Sequence, residues 1–470
     1  MLTQISQLTT DTVCAIATAP GRSGVGIVRV SGPNSLSIAK EILGFSPTPR
    51  HAHFANFLDE KGQNIDQGIA LFFNSPNSFT GEDVLELQGH GGIYVQKELL
   101  NRTLQLGARL ANPGEFSERA FLNNKIDLLQ AEAIADLIDS SSQQAARSAM
   151  RTLQGEFSNK IQVLLQELVK ARVHVEASID FSDEDIEFLS DNKVQESLSS
   201  ILNSLDSTLE QAKNGALLKE GINVVIAGKP NAGKSSLLNS LSGQESAIVT
   251  DIPGTTRDLL TEEINIDGLP LHIVDTAGIR FSDDVVEQEG LRRAQIAIEQ
   301  ADQILLIIDS SKAEEDVEKL LAPLALITDK SITDIEYLKN TTLVFNKIDL
   351  TDNIKPVVSS VNYSGLDIPC INLSAKKGFG IDLLRNYLKE LIGFNSAEEG
   401  AFIARERHLT ALLKARQLIE SALENISTQS PLELIAEDLR FAQTQLGAIT
   451  GEFSTDDLLG EIFSNFCVGK

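Results

Sequence analysis

The spacing of apolar positions changes character three times along the chain. Over residues 1–120 they fall in short β-branched runs, at 27–30, 69–73 and 84–87, each followed by a turn built from Gly, Pro, Asn or Ser. Such runs predict strands with helices between them, an α+β domain. From Leu128 the period lengthens. Ala145, Ala146, Ala149, Met150, Leu153, Phe157, Ile161, Leu164, Leu165 and Leu168 recur at three- and four-residue steps, which predicts one long amphipathic helix whose stripe faces a core or an interface. A second helical stretch is predicted over 194–218. Between 221 and about 390 the runs become short and continuous, at 222–227, 271–274, 304–308 and 343–345, each followed by a polar signature. Continuous runs alternating with helical segments predict a parallel sheet buried on both faces. After Glu390 the pattern is helical again up to Leu446. The boundaries implied are 1–120, 121–218, 219–385 and 386–470, with the third segment inserted into a helical domain formed by the second and fourth.

Composition narrows the class. The chain has 470 residues, 42% hydrophobic and 23% charged, enough for about three domains with full cores. No apolar run approaches the roughly 18 residues of a spanning helix, and residues 1–10 lack the basic and apolar regions of a secretory signal. Cys14, Cys370 and Cys467 are too far apart to suggest a disulfide framework or a CxxC pair, and the histidines at 51, 53, 174, 272 and 408 have no metal-ligand spacing. A cytoplasmic protein without a membrane partner is expected. The net charge of −26 argues against a broad basic face that coats nucleic acid. It is unevenly spread: residues 1–120 carry 9 basic and 11 acidic side chains, so this segment is nearly neutral. The acidic cluster Asp180-Phe181-Ser182-Asp183-Glu184-Asp185 reads as a solvated helix end or loop, with metal binding as the other reading.

The chemistry sits in the third segment. Gly228-Lys229-Pro230-Asn231-Ala232-Gly233-Lys234-Ser235 fits GxxxxGK[ST] between a predicted strand and a predicted helix, the context of a phosphate-binding loop. Backbone N–H groups of the glycine-rich turn converge on phosphate oxygens, Lys234 brings positive charge to the β and γ positions, and Ser235 offers its hydroxyl to Mg2+. Asp275-Thr276-Ala277-Gly278 follows the 271–274 run, which sets Asp275 to hold Mg2+ through water and the Gly278 N–H to sense the γ-phosphate. Asn346-Lys347-Ile348-Asp349 follows the 343–345 run. The Asp349 carboxylate can accept from the N1–H and the 2-amino group of guanine, donors that adenine lacks, and such a site rejects the wrong base by roughly 10⁴-fold. Ser374-Ala375-Lys376 completes the base-binding set. Thr250-Asp251-Ile252-Pro253-Gly254-Thr255-Thr256-Arg257-Asp258 reads as a first switch with Thr256 reaching Mg2+. Arg257 is either a cationic finger in cis or a surface partner of Asp258. Ile279 stands where Ras-like proteins carry their water-orienting Gln, so another group must position water. Asp283, Asp284, Glu287 and Glu289 are the candidates, and spacing does not choose among them.

Further motifs span nearly the whole chain: Pro20-Gly21-Arg22, Gly24-Val25-Gly26 through Arg29, Phe79-Thr80-Gly81-Glu82-Asp83, Glu86-Leu87-Gln88-Gly89-His90-Gly91-Gly92, Asn112-Pro113-Gly114-Glu115-Phe116, Lys125-Ile126-Asp127, Asp180-Phe181 and the final Phe466-Cys467-Val468-Gly469-Lys470. With the guanine-nucleotide motifs, they make the chain resemble the MnmE-type tRNA wobble-uridine modification GTPases. The resemblance implies a multidomain α/β fold class: an N-terminal α+β folate-binding and dimerisation domain, a discontinuous helical domain, and an inserted Ras-like P-loop GTPase domain with a mostly parallel sheet. It implies GTP contacts from Asn231 through Ser236, from Thr250 through Thr256, and from Asp275, Thr276, Ala277, Gly278, Asn346, Lys347, Asp349, Ser374 and Ala375. It implies K+ at Asn231, Thr250, Ile252 and Thr255 in place of an arginine finger, Mg2+ at Ser235 and Thr256, and Glu287 as the group that positions water, with Asn231 and Lys234 assisting catalysis. A 5-formyl- or 5,10-methylene-tetrahydrofolate is expected at Arg29, Glu86, Lys125 and Lys470.

The same resemblance implies a homodimer, an MnmG-type FAD-dependent partner in a heterotetramer or larger complex, and tRNA as substrate. Cys467 has two readings, a thiolate that attacks C6 of the uridine to activate C5, and a small apolar anchor for the chain end. His90, between glycines, reads as a turn residue. Arg29 and Glu86 also admit a reading as paired surface residues. Two other functions are compatible with the nucleotide motifs: an Era-type ribosome-assembly GTPase, for which no KH-like module follows the nucleotide segment, and a folate-binding scaffold with a slow GTP switch.

Overall fold

The computed structural model describes residues 11–140, 142–180, 193–242, 261–275, 285–312, 316–328, 338–351, 354–391, 402–452, 456–464, 466 and 469. They fall into two compact units, one formed by the chain up to Ile138, Met150–Asp206 and the chain from Thr410, the other by Asp139–Ala149 and Ser207–Leu409.

The first unit opens with β1 (Val13–Ile16), β2 (Ser23–Ser31), α1 (Ser35–Leu43), β3 (His53–Leu58), β4 (Asn64–Phe73), β5 (Val84–Gly91), α2 (Ile93–Gln105) and β6 (Arg109–Leu110). The sheet order is β3-β4-β5-β2-β1-β6, antiparallel except where β1 runs beside β6. Strand alternation decides its faces. Val28, Val30, Leu85, Leu87, Ala70 and Phe72 are buried against Ile38 and Ile42 of α1 and Leu99 of α2. Arg29 and Glu86 fall between them in sequence and therefore on the opposite face, directly paired across β2 and β5. His90, expected in a turn, lies on β5, because the glycines flanking it continue the strand to Gly91.

Helices follow: α3 (Glu115–Leu122), α4 (Leu128–Asp139), α5 (Gln143–Leu153), α6 (Glu156–Asp180) and α7 (Lys193–Glu220). The stripe from Ala145 to Leu168 is two helices rather than the single one expected. Gly155 sits at φ +87 between them and its N–H bonds back to Thr152 O at 2.9 Å, so the backbone leaves the right-handed helix for one residue. The apolar spacing continues across the break, with Ala149, Phe157 and Ile161 all buried. Asp180 ends α6, and residues 181–185 of the acidic cluster lie outside the described residues.

The second unit contains β7 (Ile222–Gly228), α8 (Lys234–Ser242), β8 (Thr261–Ile266), β9 (Leu269–Asp275), α9 (Val285–Glu299), β10 (Gln303–Asp309), α10 (Val317–Thr328), β11 (Thr341–Asn346), β12 (Val357–Tyr363), β13 (Leu366–Asn372) and α11 (Ile381–Leu391). The order is β12-β13-β11-β10-β7-β9-β8, parallel through the five central strands, with an antiparallel strand at each edge. Both faces are covered, which is why the central runs are apolar without alternation. Val224 and Ile226 join Leu237 of α8 and Leu384 and Leu388 of α11. Val225 and Ala227 join Ala294 and Ile298 of α9 and Leu321 and Leu324 of α10. The turns after β7, β9, β10, β11 and β13 all leave the C-terminal edge of the parallel strands, the edge where ligands bind in open α/β sheets.

The chain then forms α12 (Glu406–Ser427), α13 (Leu432–Thr450) and α14 (Asp456–Ser464), so helix extends beyond the expected end at Leu446. In the first unit α13 packs along α6, and Ile462, Phe463 and Phe466 cluster with Leu128 and Ala131 of α4. Among the described residues no helix is long and apolar enough to cross a membrane.

Candidate functional site

The nucleotide motifs converge at one end of the second sheet. β7 ends at Gly228, and α8 begins at Lys234. Within the loop Asn231 is held at φ +64 and Gly233 at φ +103. A Cβ on Gly233 would stand 2.2 Å from the Asn346 amide nitrogen, so only glycine lets the two loops meet. Lys234 is 7% exposed, and its ammonium donates to Gly228 O at 2.7 Å and Lys229 O at 3.3 Å. That contact folds it back over the loop it must serve. Ser235 and Ser236 are exposed in the first turn of α8.

Asn346 ties three segments together. Buried at the end of β11, its amide donates to Ala232 O at 3.0 Å and its carbonyl accepts from Ala375 N at 2.9 Å and Lys347 N at 2.8 Å. Lys347, at φ +66, donates to Asn231 O at 2.6 Å and to the Asp309 carboxylate at 2.7 Å. Burial opposes charge on Asp309, but the bonds from Lys347 and Ser311 win and hold its carboxyl below the usual value. The Ser374 hydroxyl donates to Asp349 at 2.5 Å, and Ser240 of α8 donates to Ala375 O at 2.5 Å. A cavity of about 390 Å3 opens beside the loop, bordered by Pro230, Asn231, Asp309, Lys312 and Pro323. Asp309 was not singled out from sequence. The available signal was its position directly after the 304–308 run, the place every other motif occupies relative to its strand.

Asp275 ends β9 in register with Ile226, while its side chain lies outside the described residues. So do Thr250, Asp251, Ile252, Pro253, Gly254, Thr255, Thr256, Arg257 and Asp258, then Thr276, Ala277, Gly278, Ile279, Asp283 and Asp284. Glu287 and Glu289 fall on α9, with side chains outside the described set.

A second constellation lies on the face of the first sheet opposite α1 and α2. The Arg29 guanidinium meets Glu86 Oε1 at 3.0 Å from Nε and 2.9 Å from Nη2, donates to Gly469 O at 3.3 Å, and lies over the Phe116 ring at 5.7 Å. Gln88 donates to the other Glu86 oxygen at 3.2 Å. Lys125 donates to Pro76 O at 3.0 Å. Cys467 and Lys470 are outside the described residues. Further along β5, the His90 ring meets Asp66 at 2.7 Å and the His90 N–H donates to the same carboxylate.

Two motifs prove to be structural pins. Arg119, 2% exposed, binds Asp11 at 2.6 Å, Glu115 at 2.8 Å and Glu82 at 3.1 Å. Arg109 grips the same Glu115 through both guanidinium ends at 2.8 and 2.6 Å. Glu82 of the 79–83 motif and Glu115 of the 112–116 motif are therefore committed to a buried ion cluster. Burial opposes the Glu115 charge, yet Arg109, the Asn112 N–H and Arg119 hold its carboxyl below the usual value.

Comparison with known proteins gives the family. Residues 12–125 match the GTP-binding protein TrmE N-terminus, and residues 128–467 match the MnmE helical domain. The tRNA modification GTPase MnmE of Coxiella burnetii (strain Dugway 5J108-111) is 54% identical over 98% of this chain and 99% of its own. The protein of that name from Hydrogenovibrio crunogenus is 55% identical over 98% and 99%, and that from Haemophilus influenzae 54% over 98% and 100%. With both family models matching and relatives aligned along their whole length, this chain belongs to the MnmE family of tRNA modification GTPases.

Proposed function

We propose that the chain is a K+-stimulated GTP hydrolase that, with an MnmG-type flavin-dependent partner, adds an aminomethyl or carboxymethylaminomethyl group to C5 of the tRNA wobble uridine, tetrahydrofolate carrying the one-carbon unit. The observation behind the nucleotide half is the Asn346 amide, which ties the phosphate loop at Ala232 to the base-binding loop at Ala375. Both ends of a guanine nucleotide would then be read against one rigid strand end, with Asp349 accepting from the base and Lys234 meeting the phosphates.

The donors present suit hard cations. Ser235 offers an exposed hydroxyl at the start of α8, and Asn231, exposed beside it, a carboxamide. Ser235 with Thr256 would hold Mg2+, and Asn231 with Thr250, Ile252 and Thr255 would hold K+. These ions supply positive charge to phosphate oxygens when bound. Glu287 would orient the attacking water.

On the first sheet, Arg29 and Glu86 fit the two ends of folate chemistry, a guanidinium for carboxylate and a carboxylate for pterin N–H groups. Lys125 and Lys470 are the further cations of this reading. Phe54 and Ile69, paired across β3 and β4, are exposed on the face that carries Glu86 and Gln88, an apolar strip that supports dimerisation through the N-terminal domain. In this reading residues 1–120 hold folate and the dimer contact, 219–385 bind and hydrolyse GTP, and 121–218 with 386–470 form the helical domain. The acidity of the last three segments makes a local patch or the partner the source of tRNA affinity.

Two measurements test the reading: GTP turnover in KCl against NaCl, and mass spectrometry of wobble nucleosides from a deletion strain. Faster turnover in KCl and loss of the C5 substituent are expected. Equal, negligible turnover in both salts overturns the K+ mechanism, and unaltered wobble nucleosides overturn the tRNA function.

A further inference from the structure

The chain end is seated on the first sheet by a contact that tolerates no side chain. Gly114, at φ +67 just ahead of α3, lies directly beneath the last turn of α14 and Phe466 beyond it. A Cβ at Gly114 would come within 2.6 Å of Phe463 O, 3.0 Å of Phe466 Cβ and 3.2 Å of Phe463 Cβ. The first of these is a backbone atom, so no rotamer change relieves it. Phe463 and Phe466 are buried, their rings tilted by 50° with centroids 5.4 Å apart, and Phe463 also meets the Phe121 ring of α3 at 6.5 Å. The Phe466 N–H turns back to Phe463 O at 3.1 Å.

Three residues further on, the end is fixed again. Gly469 adopts φ +96, and a Cβ there would stand 2.5 Å from Ile16 O at the end of β1. Its carbonyl accepts from Arg29, the residue paired with Glu86. The C-terminal segment is thus held at two places three residues apart, at Phe463 and Phe466 over Gly114 and at Gly469 beside the Arg29–Glu86 pair. The 112–116 motif accordingly has two separate duties. Glu115 belongs to the buried ion cluster, whereas Gly114 is exposed to a different demand, the close approach of another backbone.

We infer that Gly114 is a positioning residue for the reaction at the first sheet, holding the C-terminal segment so that Gly469 keeps its place against the Arg29–Glu86 pair. This rests on the reading of that pair as the folate site, whereas the anchoring itself rests on the contacts alone. Gly114 touches neither substrate nor nucleotide and acts only through Phe463 and Phe466. A misplacement of about 1 Å at a reacting group can lower a rate by roughly 100-fold, and relieving a 2.6 Å Cβ contact demands a displacement approaching that size.

The test uses the full-length protein with Gly114→Ala, Phe466→Ala and Gly107→Ala. Phe466→Ala loosens the same anchor without altering the backbone at α3. Gly107, at φ +97 with open space around its Cα, carries the backbone cost of alanine without the clash. Hydrogen exchange over 456–469, binding of 5-formyl-tetrahydrofolate and GTP turnover are measured on each. Gly114→Ala and Phe466→Ala should speed exchange of the segment and weaken folate binding at least tenfold, with GTP turnover within twofold of the parent. Gly107→Ala should leave all three unchanged. Unaltered exchange in Gly114→Ala overturns the anchoring, and freed exchange with unaltered folate affinity overturns the positioning role. Should the parent protein bind no folate, the site reading falls separately, and the exchange result alone decides the anchoring.

Discussion

Ser374 donates its hydroxyl to the Asp349 carboxylate at 2.5 Å, linking two loops that lie 25 positions apart in sequence. The bond fixes one carboxylate oxygen, so if Asp349 reads the base, as proposed, it is oriented before a base arrives.

Ser374→Ala should therefore weaken GTP binding by roughly 10- to 100-fold, the size of one hydrogen bond to a charged group. Asp349→Asn should do more. It removes the acceptor for the N1–H and 2-amino donors and offers an N–H to the carbonyl that xanthine carries at position 2, so preference should move from GTP toward XTP. Competition binding with GTP, ATP and XTP measures both, and an unchanged GTP preference in Asp349→Asn would remove Asp349 from base recognition.

Asn346→Ala should be the most damaging of the base-loop substitutions. It leaves Ala232 O and the N–H groups of Lys347 and Ala375 without the partner they share, at about 1–3 kcal/mol for each buried group left unpaired. GTP affinity should fall more than 100-fold, with lower thermal stability. Asn346→Asp keeps the acceptor and loses the donor to Ala232 O, so its affinity should lie between those of Ala and the parent. Calorimetric titration with GTP ranks the three.

The Arg119 cluster predicts an acid limb of stability. Burial opposes charge on Asp11 and Glu115, but bonds from Arg119 and Arg109 prevail and hold both carboxyls below their unfolded values of 3.8 and 4.5. Their contribution is complete above those unfolded values and is lost as pH falls through the lower folded ones. Glu118 acts in the opposite sense, because burial and the Glu115 charge push it up. Acidification relieves that penalty and makes the limb shallower. Calorimetric melting between pH 3 and 6 should show stability falling below about pH 4. Arg119→Met should cost about 3–5 kcal/mol at neutral pH, since it leaves buried carboxylates short of a partner. A melting temperature unmoved by that substitution would show that Arg109 suffices.

Two of the three thiols should be inert in the native protein. Cys14 and Cys370 are buried, and burial pushes the Cys370 thiol up to about 11 and raises that of Cys14. A disulfide reagent at pH 8 should titrate no more than one thiol per chain until denaturant is added, because the thiolate is the reacting form. Two or three thiols reacting at once in the native protein would contradict the packing around β1 or β13.

Legibility in the sequence followed contiguity. The loop from Gly228 to Ser235, the 346–349 run and the 374–376 run each keep their chemistry within a few residues, so spacing exposed them. Strands β2, β4, β5, β7, β9, β10 and β11 stood out as apolar runs, whereas β6 is two residues long and too short to carry a period. The edge strand β12 is largely exposed and has no buried face to impose a pattern. The break at Gly155 escaped because the apolar stripe is continuous across it, and a single left-handed residue leaves no trace in hydrophobic spacing.

By itself the sequence determined the alternation of β7, β9, β10 and β11 with helical segments in the second unit, the nucleotide motifs, and the residue types available at each end of the chain. Only the tertiary structure decided the pairings: Asp309 with Lys347 over 38 positions, Arg119 with Asp11 over 108, and Arg29 with Gly469 over 440. Local chemistry is written in adjacent residues because a tight loop or helix start needs its donors and glycines consecutive. Ion pairs and close backbone approaches need only proximity in space, and that is set by sheet register and helix packing.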